Sequence, residues 1–280
     1  MLHYCDYHVH CCYSADAEGS IEEYCLKAIE KGILEICFTP HYEADPVRRS
    51  IDGFVRVGGK LVPVTGSWLD SYFKEIEHAR KRFGSRLIIK AGIEMDHIPG
   101  MEKDLHEVVS SYPFDFVLGA VHSIDHTAIS SETESFIYFS KHSASELLED
   151  YYSILEEAVT SGIYNAVAHL DIYKRFGLKY YSREELERVP KRAQRVIKEA
   201  VRRGIAFEIN TSGYRQGPWE PFPGRKLLEY CVDQGAKLFT VGSDAHRTED
   251  VGRDILKALE LLGEIGGFGP AKYRLGSLEN

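Results

Sequence analysis

Leu87-Ile88-Ile89-Lys90-Ala91-Gly92-Ile93-Glu94 is a short run of strand-forming residues that stops on a carboxylate. The arrangement recurs along the chain. Ile36-Cys37-Phe38 runs into Thr39-Pro40-His41, Ala120-Val121 into His122, Val167-Ala168 into His169, and Val241-Gly242-Ser243 into Asp244-Ala245-His246. Near the start, His8-Val9-His10 sits in a run of the same kind, and residues two apart on a strand face the same side. Asp16 follows in Ser14-Ala15-Asp16, a turn just before the first helix. Nitrogen and oxygen donors thus gather at the ends of successive strands, which is where a parallel barrel opens.

The strands read as 4–9, 34–39, 87–93, 115–121, 164–168, 205–210 and 237–242, and the helices as 20–31, 67–84, 101–110, 144–161, 183–203, 224–235 and 253–263. Gly32, Gly84, Gly162, Gly204 and Gly235 each follow a helix, the place where glycine accepts a left-handed backbone cheaply. Strand and helix alternating seven times imply βα units around a parallel sheet. A doubly wound sheet would gather its site at one switch point. Donors after nearly every strand fit a closed barrel better. The expectation is an α/β fold, a distorted (β/α)7 TIM-like barrel, as one domain over residues 1–280. Insertions are expected near 43–66, as a lid or small hairpin, and near 123–142. An eighth strand within 50–65 is the alternative to seven.

The 280 residues carry 34 Lys and Arg against 43 Asp and Glu, a net charge of −9. That balance argues against nucleic-acid binding, which needs a basic footprint. A phosphorylated small molecule is not excluded, because bound cations reverse the local sign. No run approaches the roughly 20 apolar residues of a membrane span. The first residues lack a basic and then apolar leader pattern, so a cytoplasmic protein is expected. The six cysteines have no Cys-x-x-Cys spacing and read as free thiols, although Cys11 and Cys12 lie near enough to His10 for a thiolate ligand.

Each donor taken singly has an ordinary structural reading. Asp16 suits a helix entry, His41 after a proline suits a loop, and Ser-Asp-Ala-His suits a capping turn. Their joint placement decides: six of the twelve histidines lie at strand ends together with three carboxylates. A glutamate at position 94 can bridge two cations, one oxygen to each. His3, His78, His97, His106, His126 and His142 fall in helices or loops and read as surface or supporting residues. Among them His97, with Asp96, is close enough in sequence to orient Glu94.

The ordered set resembles the PHP (polymerase and histidinol phosphatase) family from residue 4 to about 252. His-x-His with a following aspartate, Thr-Pro-His, Gly-Ile-Glu, Val-His, Ala-His-x-Asp and Gly-Ser-Asp-Ala-His all appear in family order. The resemblance implies a PHP-type (β/α)7 barrel with three divalent ions: zinc, iron or manganese. One would be held by His8, His10, Glu94 and Asp244, a second by Glu94, His122 and His169, and a third by Asp16, His41 and His246. Within the family the chain is similar to the stand-alone histidinol-phosphate phosphatases, through Gly92-Ile93-Glu94-Met95-Asp96, Lys174-Arg175-Phe176, Asn210-Thr211-Ser212-Gly213-Tyr214-Arg215 and Asp250-Val251-Gly252.

The chemistry implied is hydrolysis of L-histidinol phosphate to L-histidinol and phosphate, with a water ionised between two ions near Glu94 attacking phosphorus in line. Asp244 or His246 would pass a proton to the leaving oxygen. Arg175 and Arg215, ahead of Arg247, are the candidates for gripping phosphate, because a guanidinium donates two parallel hydrogen bonds. Asp171 or a residue within 43–65 would meet the substrate's ammonium. The other reading is a phosphoesterase of the same family acting on nucleoside monophosphates or oligonucleotide 3′-ends. A silent, metal-stabilised scaffold is disfavoured, since all nine positions hold competent ligands. The oligomeric state is left open.

Overall fold

The computed structural model describes residues 4–266 and 269–279. Seven parallel strands pair in chain order: β1 (Cys5–Val9), β2 (Glu35–Phe38), β3 (Ile88–Asp96), β4 (Phe116–Ala120), β5 (Ala166–Val167), β6 (Ala206–Asn210) and β7 (Phe239–Gly242). The ring closes just past β7. There Val9 bridges Ala245, the Asp244 N–H donates to the His8 carbonyl at 2.8 Å, and the His10 N–H donates to the Ala245 carbonyl at 2.9 Å. Each strand falls on the segment expected for it, with β3 continuing past Glu94 as far as Asp96. Residues 50–65 supply no eighth barrel strand, because Phe54–Val57 and Lys60–Pro63 pair with each other as an antiparallel hairpin, joined to the loop after β1 by an isolated Val55–Ser14 bridge.

Strand alternation sorts the side chains into two layers. Cys5, Tyr7, Phe116, Leu118, Ala166 and Ala206 fill the inside with Tyr273, while a larger apolar layer lies between strands and helices. One irregularity in β1 decides which of its residues reach the barrel interior. Asp6 pairs with Ile36 and Val9 with Phe38, three steps against two, so β1 carries a bulge. Before it Cys5 and Tyr7 point inward; after it His8 and His10 do. Bulges next to sites re-aim side chains in this way.

The helices begin where the sequence marks them. Ser20 with Glu23, Ser143 with Glu146 and Ser182 with Glu185 form reciprocal capping boxes. The helix expected over 183–203 is instead two, Arg183–Leu186 and Lys191–Arg203. Pro190 forces the break: it has no N–H to continue the first helix, and it bars Val189 from helical geometry. Of the five glycine stops, Gly32, Gly162, Gly204 and Gly235 are left-handed. Gly84 is not; it stays right-handed at φ −60°, as the helix Trp68–Phe83 runs out in a further turn.

The end of the barrel where the strands start is sealed by a short hairpin, Tyr273–Arg274 with Ser277–Leu278. Tyr7 donates its hydroxyl to Glu35 at 2.5 Å and accepts the Tyr273 N–H at 3.0 Å. Buried Lys90 lies 2.9 Å from Glu279 and 3.6 Å from Glu35. Asp115 accepts from Arg80 at 2.6 Å, from the Ala91 N–H at 2.9 Å and from the Leu275 N–H at 3.2 Å.

At the other end, segments 43–66 and 123–142 are tied together. Arg48, buried, donates to Asp52 at 2.7 Å, to Glu134 at 2.7 Å and to the His126 carbonyl at 2.9 Å. His126 also lies 2.6 Å from Asp45. The Phe54–Val57 strand braces the loop that carries Asp16. Arg56 takes the Tyr13 carbonyl on its N–H at 2.9 Å, and its guanidinium reaches the Ala15 and Ala17 carbonyls.

Candidate metal centre

All nine histidines and carboxylates of the ligand set proposed from the sequence come to the mouth where the strands end. Their donor atoms fall into three groups. Nε2 of His8 and of His10 lie 2.9 Å apart, 3.4 and 3.5 Å from Glu94 Oε2, and 3.7 and 3.3 Å from Asp244 Oδ1. Glu94 Oε1 lies 3.0 Å from His169 Nε2 and 3.5 Å from His122 Nε2, which are 3.3 Å from each other. His246 Nε2 lies 3.4 Å from His41 Nε2 and 3.3 Å from Asp16 Oδ2, with His41 and Asp16 3.8 Å apart. Ligand atoms of a tetrahedral ion with bonds of ~2.0–2.1 Å stand about 3.3 Å apart, so these spacings suit a cation.

Hydrogen bonding alone does not account for them. Glu94 Oε2 is buried without a hydrogen bond, although His41 Nδ1 lies 2.9 Å away and is itself unpartnered. Nitrogen and oxygen facing each other in poor hydrogen-bond geometry are what a bound cation would reconcile. The donor set fits divalent metals of the borderline class, imidazole with carboxylate.

The backbone explains how the donors arrive. Past Pro40 the chain re-pairs with β3, setting His41 beside Glu94 in register. The His122 N–H donates to Asp96 Oδ1 at 2.7 Å, so Asp96 positions His122, not Glu94. His169 and Asp244 both have positive φ, 23° and 54°, strained values that cluster at functional sites. Gly242 leaves room: a Cβ there would lie 2.3 Å from the His8 Cβ and 2.6 Å from Glu208 Oε1.

Glu208 and Glu43 are absent from the ligand set that the sequence suggests. Buried Glu208 holds His8 Nδ1 at 2.6 Å with one oxygen and accepts the His169 N–H at 2.8 Å with the other. An Nδ1–H donated to Glu208 leaves the His8 Nε2 lone pair facing the centre. The sequence does carry a signal for it: Ala206, Glu208 and Asn210 alternate on one face of β6, and a carboxylate amid inward residues asks for a partner. Glu43 lies 3.3 Å from His122 Nδ1 and 3.8 Å from His41 Nδ1. It stands two residues after His41, the same spacing as His8 and His10.

Charge follows the same logic. Burial opposes protonation of His8, but Glu208, Glu94 and Asp244 outweigh it and lift its pKa well above the ordinary range. Against burial, the carboxylates around them also lift His41 to about 10, with Asp16 and Glu94 foremost, and His122 to about 9, with Glu94 foremost. Glu94 and Asp244 are held well below the usual carboxylate range despite burial, with His8 the largest opposing influence on each. Without metal, protons on His8, His41 and His122 offset the carboxylates, while burial and the neighbouring His41 and His246 hold His10 well below the ordinary imidazole range.

The centre floors a cleft of about 520 Å3, also lined by Glu43, Arg48, Asp52, Glu132, Glu134 and Arg175. Arg175 makes no ion pair within 4 Å among the described residues, and burial followed by the charge of Arg215 lowers its pKa despite nearby Asp244, Asp16 and Glu132. Arg215 is placed differently. It donates to the Ser243 and Asp244 carbonyls at 2.6 and 3.1 Å, bracing the loop beneath Asp244, and does not line the cleft. Asp171 is committed to Lys174 at 2.8 Å and the Gly224 N–H at 3.0 Å, so it does not face a substrate. Arg247 pairs at the surface with Glu18 at 3.8 Å. Cys11 is buried in the apolar core and the donor groups include no thiol. His3 lies outside the described residues.

A strand-end cluster of this kind on a seven-stranded parallel barrel defines a class, and residues 6–212 match the PHP domain family. The chain belongs to that family. It is 30% identical to a probable histidinol-phosphatase of Deinococcus radiodurans over 95% of each chain. It is 28% identical to the histidinol-phosphatase of Lactococcus lactis over 93% of this chain and 91% of that one. A crystal structure of histidinol phosphate phosphatase from L. lactis, complexed with zinc, L-histidinol and phosphate, superimposes with a TM-score of 0.79 over 100% of both chains at 25% identity.

Proposed function

We propose that this chain is a metal-dependent phosphomonoesterase that hydrolyses L-histidinol phosphate to L-histidinol and phosphate, as a step of histidine biosynthesis. The observation that carries it is the grouping of donors around Glu94, whose two oxygens face two different ligand sets, beneath a cleft holding an unpaired arginine. The likeness to histidinol-phosphatases over nearly the whole chain supplies the substrate.

His8, His10, Glu94 and Asp244 would hold one divalent ion, Glu94, His122 and His169 a second, and Asp16, His41 and His246 a third; zinc is the first to test, ahead of iron and manganese. Bound ions supply an ionised water at neutral pH and positive charge for the phosphoryl oxygens. The protein's own residues do the rest. Arg175 is placed to grip the phosphate, and its lack of a carboxylate partner leaves its donors for an anion. Arg215 acts one step removed, holding the loop that presents Asp244 and His246. Asp244 or His246 carries the proton toward the departing oxygen. Asp52, Glu132 and Glu134 form an acidic wall for the substrate's ammonium, with Arg48 neutralising part of it. All six cysteines are free, five of them buried, which suits a reducing cytoplasm. No helix among the described residues is long and apolar enough to cross a membrane.

The test is phosphate release by metal-reconstituted protein from L-histidinol phosphate, beside nucleotides, sugar phosphates and oligonucleotide ends. A preference of about a hundredfold in kcat/KM corresponds to ~2.7 kcal/mol of differential transition-state binding. A flat profile or a nucleotide preference would remove the substrate assignment and leave the metal chemistry. Arg175→Ala should raise KM for every phosphomonoester in the panel.

A further inference from the structure

Just beyond Glu94 the chain carries another set of donors that uses none of the residues at the barrel mouth. His97 follows β3 directly, Glu102 opens the helix Glu102–Ser111, and Glu157 lies on the helix Ala144–Ser161. One donor atom from each falls within 4.8 Å of the others, and His97 Nε2 lies 3.9 Å from Glu102 Oε1. The imidazole is 2% exposed and its Nε2 has no hydrogen-bond partner, a rare condition for a buried polar atom. Its Nδ1 lies 3.0 Å from the Tyr164 hydroxyl.

We propose that His97, Glu102 and Glu157 form a second, separate site for one divalent cation of the zinc class. An Nδ1–H donated to Tyr164 fixes the ring and turns the Nε2 lone pair toward the two carboxylates, the arrangement in which histidine usually serves a metal. Tyr164 is held in turn, because its ring packs on Gly119, where even a Cβ would lie 2.6 Å from the ring. The two glutamates are partly to fully exposed, so ions reach them from solvent, and their flexible stems close the remaining distance to ligand spacing. One imidazole and two carboxylates leave a fourth position for water. The ion would tie the segment after β3 to the helix Ala144–Ser161, stiffening the stretch that presents Glu94 without touching substrate.

The experiment counts ions. Full-length wild type and Glu157→Gln, each first loaded at the barrel mouth, are titrated with zinc against a chromophoric chelator. Wild type is expected to take one equivalent more than Glu157→Gln, which should bind that ion at least about tenfold more weakly. Glu102→Gln should behave the same way, and Glu157→His, which restores a ligand, should recover the equivalent. The extra ion should raise the melting temperature of wild type and not of Glu157→Gln, with phosphatase turnover unchanged in all. Equal ion counts in wild type and Glu157→Gln overturn the proposal. So does loss of the equivalent together with activity, which would place Glu157 in the service of the main centre.

Discussion

The two ends of the barrel bury comparable polar chemistry and handle it in opposite ways. Where the strands begin, the buried charges Glu35, Lys90 and Asp115 have opposite partners: Glu35 with Lys90, Asp115 with Arg80, Lys90 again with Glu279. Where the strands finish, six imidazoles and three carboxylates crowd together, with Glu94 Oε2, His41 Nδ1, His122 Nδ1 and His169 Nδ1 left without hydrogen bonds. The first end is complete as protein. The second is complete only with cations, and it carries the positive-φ residues His169 and Asp244. Substitutions should therefore change stability at one end and activity at the other.

The strongest way to break this contrast is Glu94→Gln. It removes the charge facing two ligand sets and should lower kcat/KM at least about a thousandfold, with fewer ions in metal analysis. Retained activity with full metal content would end the bridging role. Glu208→Gln should be milder, about 10–100-fold in metal affinity or turnover, because it acts through the orientation of His8 and His169. Apparent zinc affinity is the readout that separates it from a simple packing defect. At the sealed end, Asp115→Asn should cost about 1–3 kcal/mol in denaturant unfolding, moderated by the partial exposure of Arg80, with kcat/KM per folded molecule within about twofold. A large activity loss there would blur the distinction between ends.

The remaining effect concerns pH. His41 and His122 have folded pKa values raised to about 10 and about 9 in the metal-free protein, against about 6.5 unfolded. Raised values stabilise fully below the unfolded pKa and lose that contribution as pH climbs through the folded pKa. Chelated protein should thus lose stability between about pH 6.5 and 10, a trend that loaded protein should flatten. Parallel melting curves for the two forms would count against protons standing in for metal.

Much of the fold and most of the ligand set are legible in the sequence, for identifiable reasons. Barrel strands are short apolar runs with glycine or a capping serine nearby, so all seven can be placed, and ligands at strand ends need no tertiary knowledge beyond the fold. What escapes is partnership between distant segments. Glu208 meets His8 across 200 residues and Arg48 meets Glu134 across 86; the strand pattern around Glu208 shows that it needs a partner, but nothing local says which residue that is in either case. Asp171 reads as available for substrate only while Lys174, one helical turn on, is not recognised as its partner. Residue type alone assigns Arg215 to phosphate, and only geometry shows that it grips the Ser243 and Asp244 carbonyls. A single helix over 183–203 runs through Pro190, a break the sequence does display.

The bulge in β1 sets a rule about length as distinct from identity. It places one extra residue between Asp6 and Val9, and the inward direction passes there from odd to even positions. Exchanging Tyr7 for another large apolar residue leaves that count intact. Deleting Val9, just past the bulge, would keep every ligand in the sequence and turn either His8 or His10 to face the helices. In this strand the arithmetic of the chain is the more fragile inheritance, and frameshift-free deletions should be far less tolerated than substitutions.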